Sequence, residues 1–529
     1  MARNRIIYAS QSVWVDGEVL YRVQSLGTTT SFTSEDIFEL GHLDIIDVVD
    51  DVPAVTVTLN TNDFGDVRTF ATLAQISPAK RAMDATATST NANLVAGGST
   101  YLHGVALADF AVTCGNLTGV TLWAPVQDEC SIGTLANNID QTMFLDEVYI
   151  NSLEFSYTTG ANATENYGAE TDNKMWLLNE GRFVNYETAT LSGTNITDGY
   201  VDLQLAASAT IAELSAGIGF LRKDIDGAPA VTHLDVTANV MKNVAIEVGT
   251  VSGTNALTYI YEVPADNVDN KHRIYFPTGA MAPADGDVLQ FVYSANAYSA
   301  PMNTYFTPLT EPTSRPDGVG ALRQGQVEVY IVDPDNGTDF ENAWRLTGVT
   351  ISTDLTREPL SELGHLGPYD RPLTLPIPIT VTVDSTAGDL ENWAKMAGKL
   401  TDYNADTLDD IDLTDLMSKD NLILVVKVFQ QTDEEAGGTR AKRKVLSGSE
   451  LIGDNYFDDG VLGTYSANDR ERALKTIVVK NLKITDEGMT LDLGSNATQT
   501  FGFRCNNDLY AIKGDVSFDV VTDSIIRNA

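Results

Sequence analysis

Cysteine is nearly missing from this chain. There are three in 529 residues, Cys114, Cys130 and Cys505, an odd number with no CxxC pair. A disulfide framework and a thiolate zinc site are thereby excluded as organising features, and buried free thiols are expected. Histidine is almost as scarce, at five residues, and His103, His233 and His272 have no sequence neighbours that suggest a metal site. Basic residues are few, 34 against 73 acidic ones, for a net charge of −39. That deficit disfavours a nucleic-acid-binding surface, which needs cations to displace counterions from phosphates. It equally disfavours docking on anionic membranes. It fits a surface that nucleic acid slides past, since like charges repel, and it fits solubility or a salty medium as well.

No stretch approaches the roughly twenty apolar residues of a membrane helix. Met1-Ala2-Arg3-Asn4-Arg5 runs into a short strand-like stretch with no apolar signal core, so synthesis in a cytoplasm without a cleaved signal is expected. Asn162-Ala163-Thr164 and Asn496-Ala497-Thr498 then read as chance sequons. Also missing are a GxSxG elbow, HExxH, a Walker loop and a GxGxxG opening a helix. No catalytic residue, metal or cofactor is therefore expected. Asp333-Pro334-Asp335-Asn336-Gly337-Thr338-Asp339 has its Gly one place early for an EF-hand and no flanking helices, so it reads as a β-turn.

What the chain does have is repetition. Glu39-Leu40-Gly41-His42-Leu43 recurs as Glu362-Leu363-Gly364-His365-Leu366, and the same spacing pairs Leu26 with Val349, Asp66 with Asp389 and Phe70 with Trp393. Ser12–Val15 corresponds to Val329–Val332, and Thr121–Val126 to Leu422–Lys427. The β-branched run Val55–Leu59 corresponds to Ile379–Val383, and both alternate as half-buried strands do. Asp66–Ala74 and Asp389–Ala397 have helical spacing with an acid in the first turn. Ala163–Gly168 and Asn173–Trp176 match Ala497–Gly502 and Asn507–Tyr510. The ordered series argues for duplication.

The expected class is mainly β: two tandem barrel- or sandwich-like domains, 1–180 and 325–529, each with a short α-helix. A β-sandwich-like domain, 181–324, is inserted between them. Thr258–Val263 and Val288–Tyr293 read as its strands, Asp285-Gly286-Asp287 and Asp198-Gly199 as its turns, and 310–316 as its boundary with the second copy. The shared His42 and His365 sit in matching motifs, which favours a turn or interface role over two active sites. The ELGHL stretch occupies a long excursion between a strand near 19–26 and one near 54–60. It reads either as a capping loop or as an arm that docks on a neighbour. The one basic cluster, Arg440-Ala441-Lys442-Arg443-Lys444, is a solvated loop or a contact with an acidic subunit.

The residues Glu39–Leu43, Val55–Leu59, Asp66–Ala74, Val148–Leu153 and Asn162–Gly168, with Glu362–Leu366, Ile379–Val383, Asp389–Ala397, Ile477–Leu482 and Asn496–Gly502, form an order that resembles tail tube proteins of long-tailed bacteriophages. That resemblance implies tube domains with their exposed borders satisfied by neighbours. It implies homotrimeric, pseudo-sixfold rings stacked into a hollow tube in the virion tail, through which viral DNA passes without specific binding. Implied partners are other copies of the chain and other tail proteins: tape measure, terminator, baseplate or a sheath. Implied inter-ring or inter-subunit contacts are Glu39, Leu40, Gly41, His42, Leu43, Glu362, Leu363, Gly364, His365, Leu366, Arg440, Lys442, Arg443 and Lys444. A baseplate hub or tail-completion ring on the same fold, or a β-rich adhesin or glycan-binding protein, are the alternatives. Unequal loops, 77–110 and 430–475, would let each joint specialise. Deleting 430–450 is expected to leave folding intact and shorten or abolish tubes seen by electron microscopy; tubes of parental length would contradict it.

Overall fold

A computed structural model of the chain describes residues 12–15, 18–20, 23–41, 43–50, 52–62, 95–96, 100–101, 104–106, 120–127, 139–178, 183–204, 219–222, 229–238, 240–249, 257–263, 266–295, 327–332, 341–342, 346–363, 368, 371–386, 413–429, 473–491, 496–513, 516–519 and 524–527. The expected helices 66–74 and 389–397, the 310–316 boundary, the 333–339 turn, His103, Cys114, Cys130 and the 430–450 loop lie outside the described residues.

The described chain is mainly β, in large antiparallel sheets. Two long strands, Ile139–Thr158 and Ala473–Thr490, organise it. Each is bent. Glu147 and Asn481 have left-handed φ values of 51° and 57°, and each ladder slips just beyond, between Ile150 and Ser152 and between Ile484 and Asp486. An extra residue in a ladder bends the strand and re-aims the residues beyond it. The segment before each bend therefore belongs to one sheet and the segment after it to another.

In the N-terminal set, the first half of Ile139–Thr158 pairs with Val120–Gln127 and Asn173–Leu178. Val120–Gln127 pairs onward with Val13–Val15, which pairs with Glu18–Leu20. The second half pairs with Thr164–Thr171, followed by Ala54–Asn62 and Val23–Ser31. The C-terminal set has the same order. The first half of Ala473–Thr490 pairs with Leu422–Phe429 and Leu509–Lys513, and Leu422–Phe429 pairs with Val327–Val332, which pairs with Glu341–Asn342. The second half pairs with Thr498–Asn506, then Pro378–Thr386, then Leu346–Asp354. Individual ladder positions coincide. Trp14 faces Trp123 as Ile331 faces Leu424, and Leu26 faces Leu59 as Val349 faces Val383.

Alternation explains these strands. Ala54–Asn62 and Pro378–Thr386 bury every second residue, placing Val55, Val57 and Leu59, and Ile379, Val381 and Val383, on one face. These pack with Phe155, Tyr167, Val349, Ile351 and Phe501, and with Val15, Leu145, Ile331, Leu424 and Ile477 of the other sheets, in one apolar core. Each fully buried aliphatic or aromatic side chain stabilises by about 1.5–3 kcal/mol. Gly168 and Gly502 face Ser152 and Asp486, and a Cβ at either glycine would collide with that partner's side chain. Cys505 is a buried free thiol, pushed up to about 12 by burial, so it stays protonated.

Residues 183–295 form a separate sheet with the order 183–190, 288–295, 230–235, 240–248, 259–262, 273–275, 200–202. The sheet curls so that its two ends share a core containing Leu191, Val201, Val244, Tyr259, Ile274 and Phe291. Phe220, beside one end, meets Tyr261 of the other edge-on at 5.3 Å. Ser192-Gly193-Thr194-Asn195 forms a capping box: the Ser192 side chain accepts from Asn195 N, opening the helix Gly193–Asp198. Asp198-Gly199 is thus a helix end, with Gly199 at φ 78°, and not a turn between strands. Within and beside the strand expected near 19–26, the described strands are Glu18–Leu20 and Val23–Ser31, which pair with different partners.

Candidate assembly interface

The two sets are joined edge to edge. Ser152–Thr158 pairs antiparallel with Gly348–Asp354, in register from Ser152 opposite Asp354 to Thr158 opposite Gly348. The joint makes one continuous sheet of eight strands: 23–31, 54–62, 164–171, 139–158, 346–354, 378–386, 498–506 and 473–490. Phe155 and Tyr157 lie opposite Ile351 and Val349, all buried. The other face of the sheet is polar and concave, and Thr58, Asn60, Ser152, Glu154, Asn166, Ser352 and Thr380 line a hollow of about 560 Å³ there.

A second contact reinforces the joint. The excursion 355–377 of the C-terminal set folds onto the rim of the N-terminal set. Leu355 N donates to Asn151 O at 2.8 Å. Arg357 Nε donates to Ile150 O at 3.0 Å, and its guanidinium stands over the Tyr149 ring. Arg371 donates to Glu170 Oε1 at 2.8 Å and to Asp172 Oδ1 at 2.6 Å. Burial works against the Arg371 charge, but the hydrogen bonds and charges of Asp172 and Glu170 outweigh it and raise its pKa.

Behind the joint, Lys475 of the C-terminal set reaches Glu165 of the N-terminal set, with Nζ to Oε1 at 2.7 Å. Lys475 is fully buried, and its ammonium lies 5.0 Å from the Phe155 ring centre. The second Glu165 oxygen accepts from Tyr167 OH at 2.7 Å. Nearby, buried Asp146 and Arg222 approach to 3.7 Å, tying the middle sheet to the N-terminal set. Glu147 beside them is pushed up to about 8, first by desolvation and then by the Asp146 charge.

The equivalents of these joined surfaces are open at the two ends of the sheet. Ladder positions place Met489 where Phe155 stands and Leu491 where Tyr157 stands. Phe155 and Tyr157 are 0% and 6% exposed, whereas Met489 and Leu491 are 56% and 73% exposed. At the other end, the strand Val23–Ser31 occupies the place of Leu346–Asp354, with no strand on its outer side among the described residues. Phe32 is 81% exposed, and its counterpart Leu355 is fully buried. Tyr510 is covered by the strand Gly104–Ala106, but Trp176 in the corresponding position is exposed.

The ELGHL excursion of the N-terminal set is a hairpin, Ser34–Ile37 with Asp47–Asp50, exposed throughout. Glu39, Leu40, Gly41 and Leu43 lie at its exposed tip, with Gly41 at φ 100°, and Glu362 and Leu363 are exposed on the other excursion. His42, Gly364, His365, Leu366, Arg440, Lys442, Arg443 and Lys444 lie outside the described residues. Sequence reasoning picked the excursions but missed Arg357, Arg371, Glu165 and Lys475. Placing Arg357 and Arg371 against the neutral Ser34 and Val48 of the other copy was the available signal. Among the described residues no group of His, Cys, Asp and Glu could hold a metal, and no helix is long and apolar enough to cross a membrane. No protein-family model matches the chain, and no curated protein sequence matches it.

Two outcomes test this geometry. Lys475→Met leaves Glu165 buried without its cation and should cost about 3–5 kcal/mol; an unchanged melting temperature would contradict the pair. For Glu147, the unfolded carboxyl titrates near 4.5 and the folded one near 8. The folded state therefore binds more protons between these values, and stability falls as pH rises through that window. Glu147→Gln should melt increasingly above the parent from pH 5 to 8, with a constant gap beyond; a gap independent of pH would refute the assignment.

Proposed function

We propose that this chain is a structural subunit of a bacteriophage-type tail tube. In this reading residues 1–180 and 325–529 are tandem tube domains, each with a short helix, and 181–324 is an inserted sandwich-like domain. The observation that carries the reading is the edge joint inside the chain, whose two halves recur, unpaired among the described residues, at opposite ends of the same sheet. An open edge with a complementary edge on the same molecule forms a head-to-tail contact, which closes into a ring when the rotation permits.

Carrying the internal register over puts Asp486 opposite Ser31, Met489 opposite Thr28 and Leu491 opposite Leu26 of the next copy. Each chain then spans two of six pseudo-equivalent sectors, and three chains close the ring. Three eight-stranded sheets give 24 strands, a perimeter of about 115 Å and a backbone diameter of at least about 37 Å at ~4.8 Å per strand. The polar concave face lines the opening. Its acids Glu154, Asp354, Asp384 and Asp486 suit passage of a polyanion. Stacked rings would form the tube of a virion tail, assembled in the host cytoplasm with other tail proteins. Fusion makes one of every two joints intramolecular, raising its effective concentration.

Electron microscopy of the purified chain tests this: uniform hollow tubes of stacked trimeric rings are expected, isolated rings alone would favour a hub or completion ring, and monomers at high concentration would sink the reading. One ladder position gives a sharper test. Met489→Asp should leave the monomer's stability within about 0.5 kcal/mol, as surface changes usually do, yet block ring closure in sedimentation. Phe155→Asp, at the equivalent buried position, should prevent folding.

A further inference from the structure

The side chains that the two arms offer to a rim carry opposite charge, and so do the surfaces available to receive them. Between 32 and 53 there are seven acids and neither Lys nor Arg; between 355 and 377 there are three acids, Glu358, Glu362 and Asp370, and two arginines, and it is Arg357 and Arg371 that reach the rim. The arms share a register: Arg357 bridges Leu373 as Ser34 pairs with Asp50. The side that presents Arg357 and Arg371 in the docked arm thus presents Asp36 and Asp50 in the free one. On the receiving side the ladder equivalents of Glu170 and Asp172 are Arg504 and Asn506. Arg504 lies directly opposite Lys483, both exposed and without an ion pair among the described residues.

Resting on the ring reading above, we infer that the acidic hairpin 34–50 of one chain docks on the Lys483–Arg504 rim of a second copy. It sits there as the 355–377 arm sits on the Glu170–Asp172 rim within the chain. Two like cations facing across a ladder repel each other, and an acidic arm relieves that. The apolar residues of the hairpin and Phe32 at its base are solvent-exposed in the single chain, as expected of a surface awaiting cover. The reversal of sign also sets which joint is which. The acidic arm on the Glu170–Asp172 rim, or the arginine arm on the Lys483–Arg504 rim, would bring like charges together. First domains therefore meet only second domains, and the ring closes in strict alternation.

Charge exchange in the full chain tests it, with ring formation read by sedimentation velocity and folding by circular dichroism. Lys483→Glu with Arg504→Glu should raise the concentration for half-assembly by more than about tenfold, as should Asp36→Lys with Asp50→Lys. All four together should restore assembly, because the pair is regenerated with its signs exchanged. Folded double variants that assemble like the parent, or a fourfold variant no better than the doubles, would overturn the docking while leaving the ring reading intact. A parental chain that stays monomeric would overturn the ring reading itself.

Discussion

A β-strand presents hydrogen-bonding groups along both sides, and each N–H and C=O that leaves water must find a partner. In the eight-stranded sheet this demand is met everywhere except along the outer sides of Val23–Ser31 and of the second half of Ala473–Thr490, among the described residues. Inside the chain the same two kinds of strand meet each other, through Ser152–Thr158 and Gly348–Asp354. The molecule thus displays the solution to its own unpaired borders. The bends at Glu147 and Asn481 make this geometry possible, because they carry each long strand from the backing sheet into the shared one.

The joint inside the chain is more than a backbone ladder. Lys475 and Glu165 are buried together, and a buried ion pair often contributes less than an apolar replacement would, because desolvation offsets the Coulomb attraction. Either partner left alone there would be strongly destabilising. The equivalent of Glu165 at the open end is Gln499, which is held by Glu487 of its own set at 3.1 Å. The joined surface and its open equivalent therefore differ in the core as well as at the rim. In the proposed ring, such divergence would be open to a fused pair, where each joint has its own residues to vary, and closed to six identical subunits.

Much of the sheet was legible in the sequence because its period and its repeat are local signals. Val55–Leu59 and Ile379–Val383 alternate, and the spacing between copies aligned Trp14 with Ile331 and Trp123 with Leu424, the pairs that occupy matching ladder positions. The helix cap at Ser192 leaves a weaker trace, which mimics a turn. The joint was not legible. Arg371 meets Glu170 across 201 residues and Lys475 meets Glu165 across 310. In a chain with 73 acidic residues, no single carboxylate announces its partner. Exposure, which separates Met489 from Phe155, is a property of the folded surface alone.

The charge pattern ties these surfaces to the hollow they would enclose. On the strands of the concave face the cations are Lys483 and Arg504, both at the rim, among the described residues. Glu154, Asp354, Asp384 and Asp486 share that face with Ser, Thr, Asn and Gly. If the acidic hairpins cover those two cations, the proposed opening keeps no exposed positive charge in the described sheet. A polyanion moving through it would then meet repulsion on every side and adhesion nowhere, so its passage would be limited by friction with water and not by release from sites. The residues that hold the ring together would, by the same contact, cover the cations carried by the strands of that face, groups able to hold a polyanion in transit.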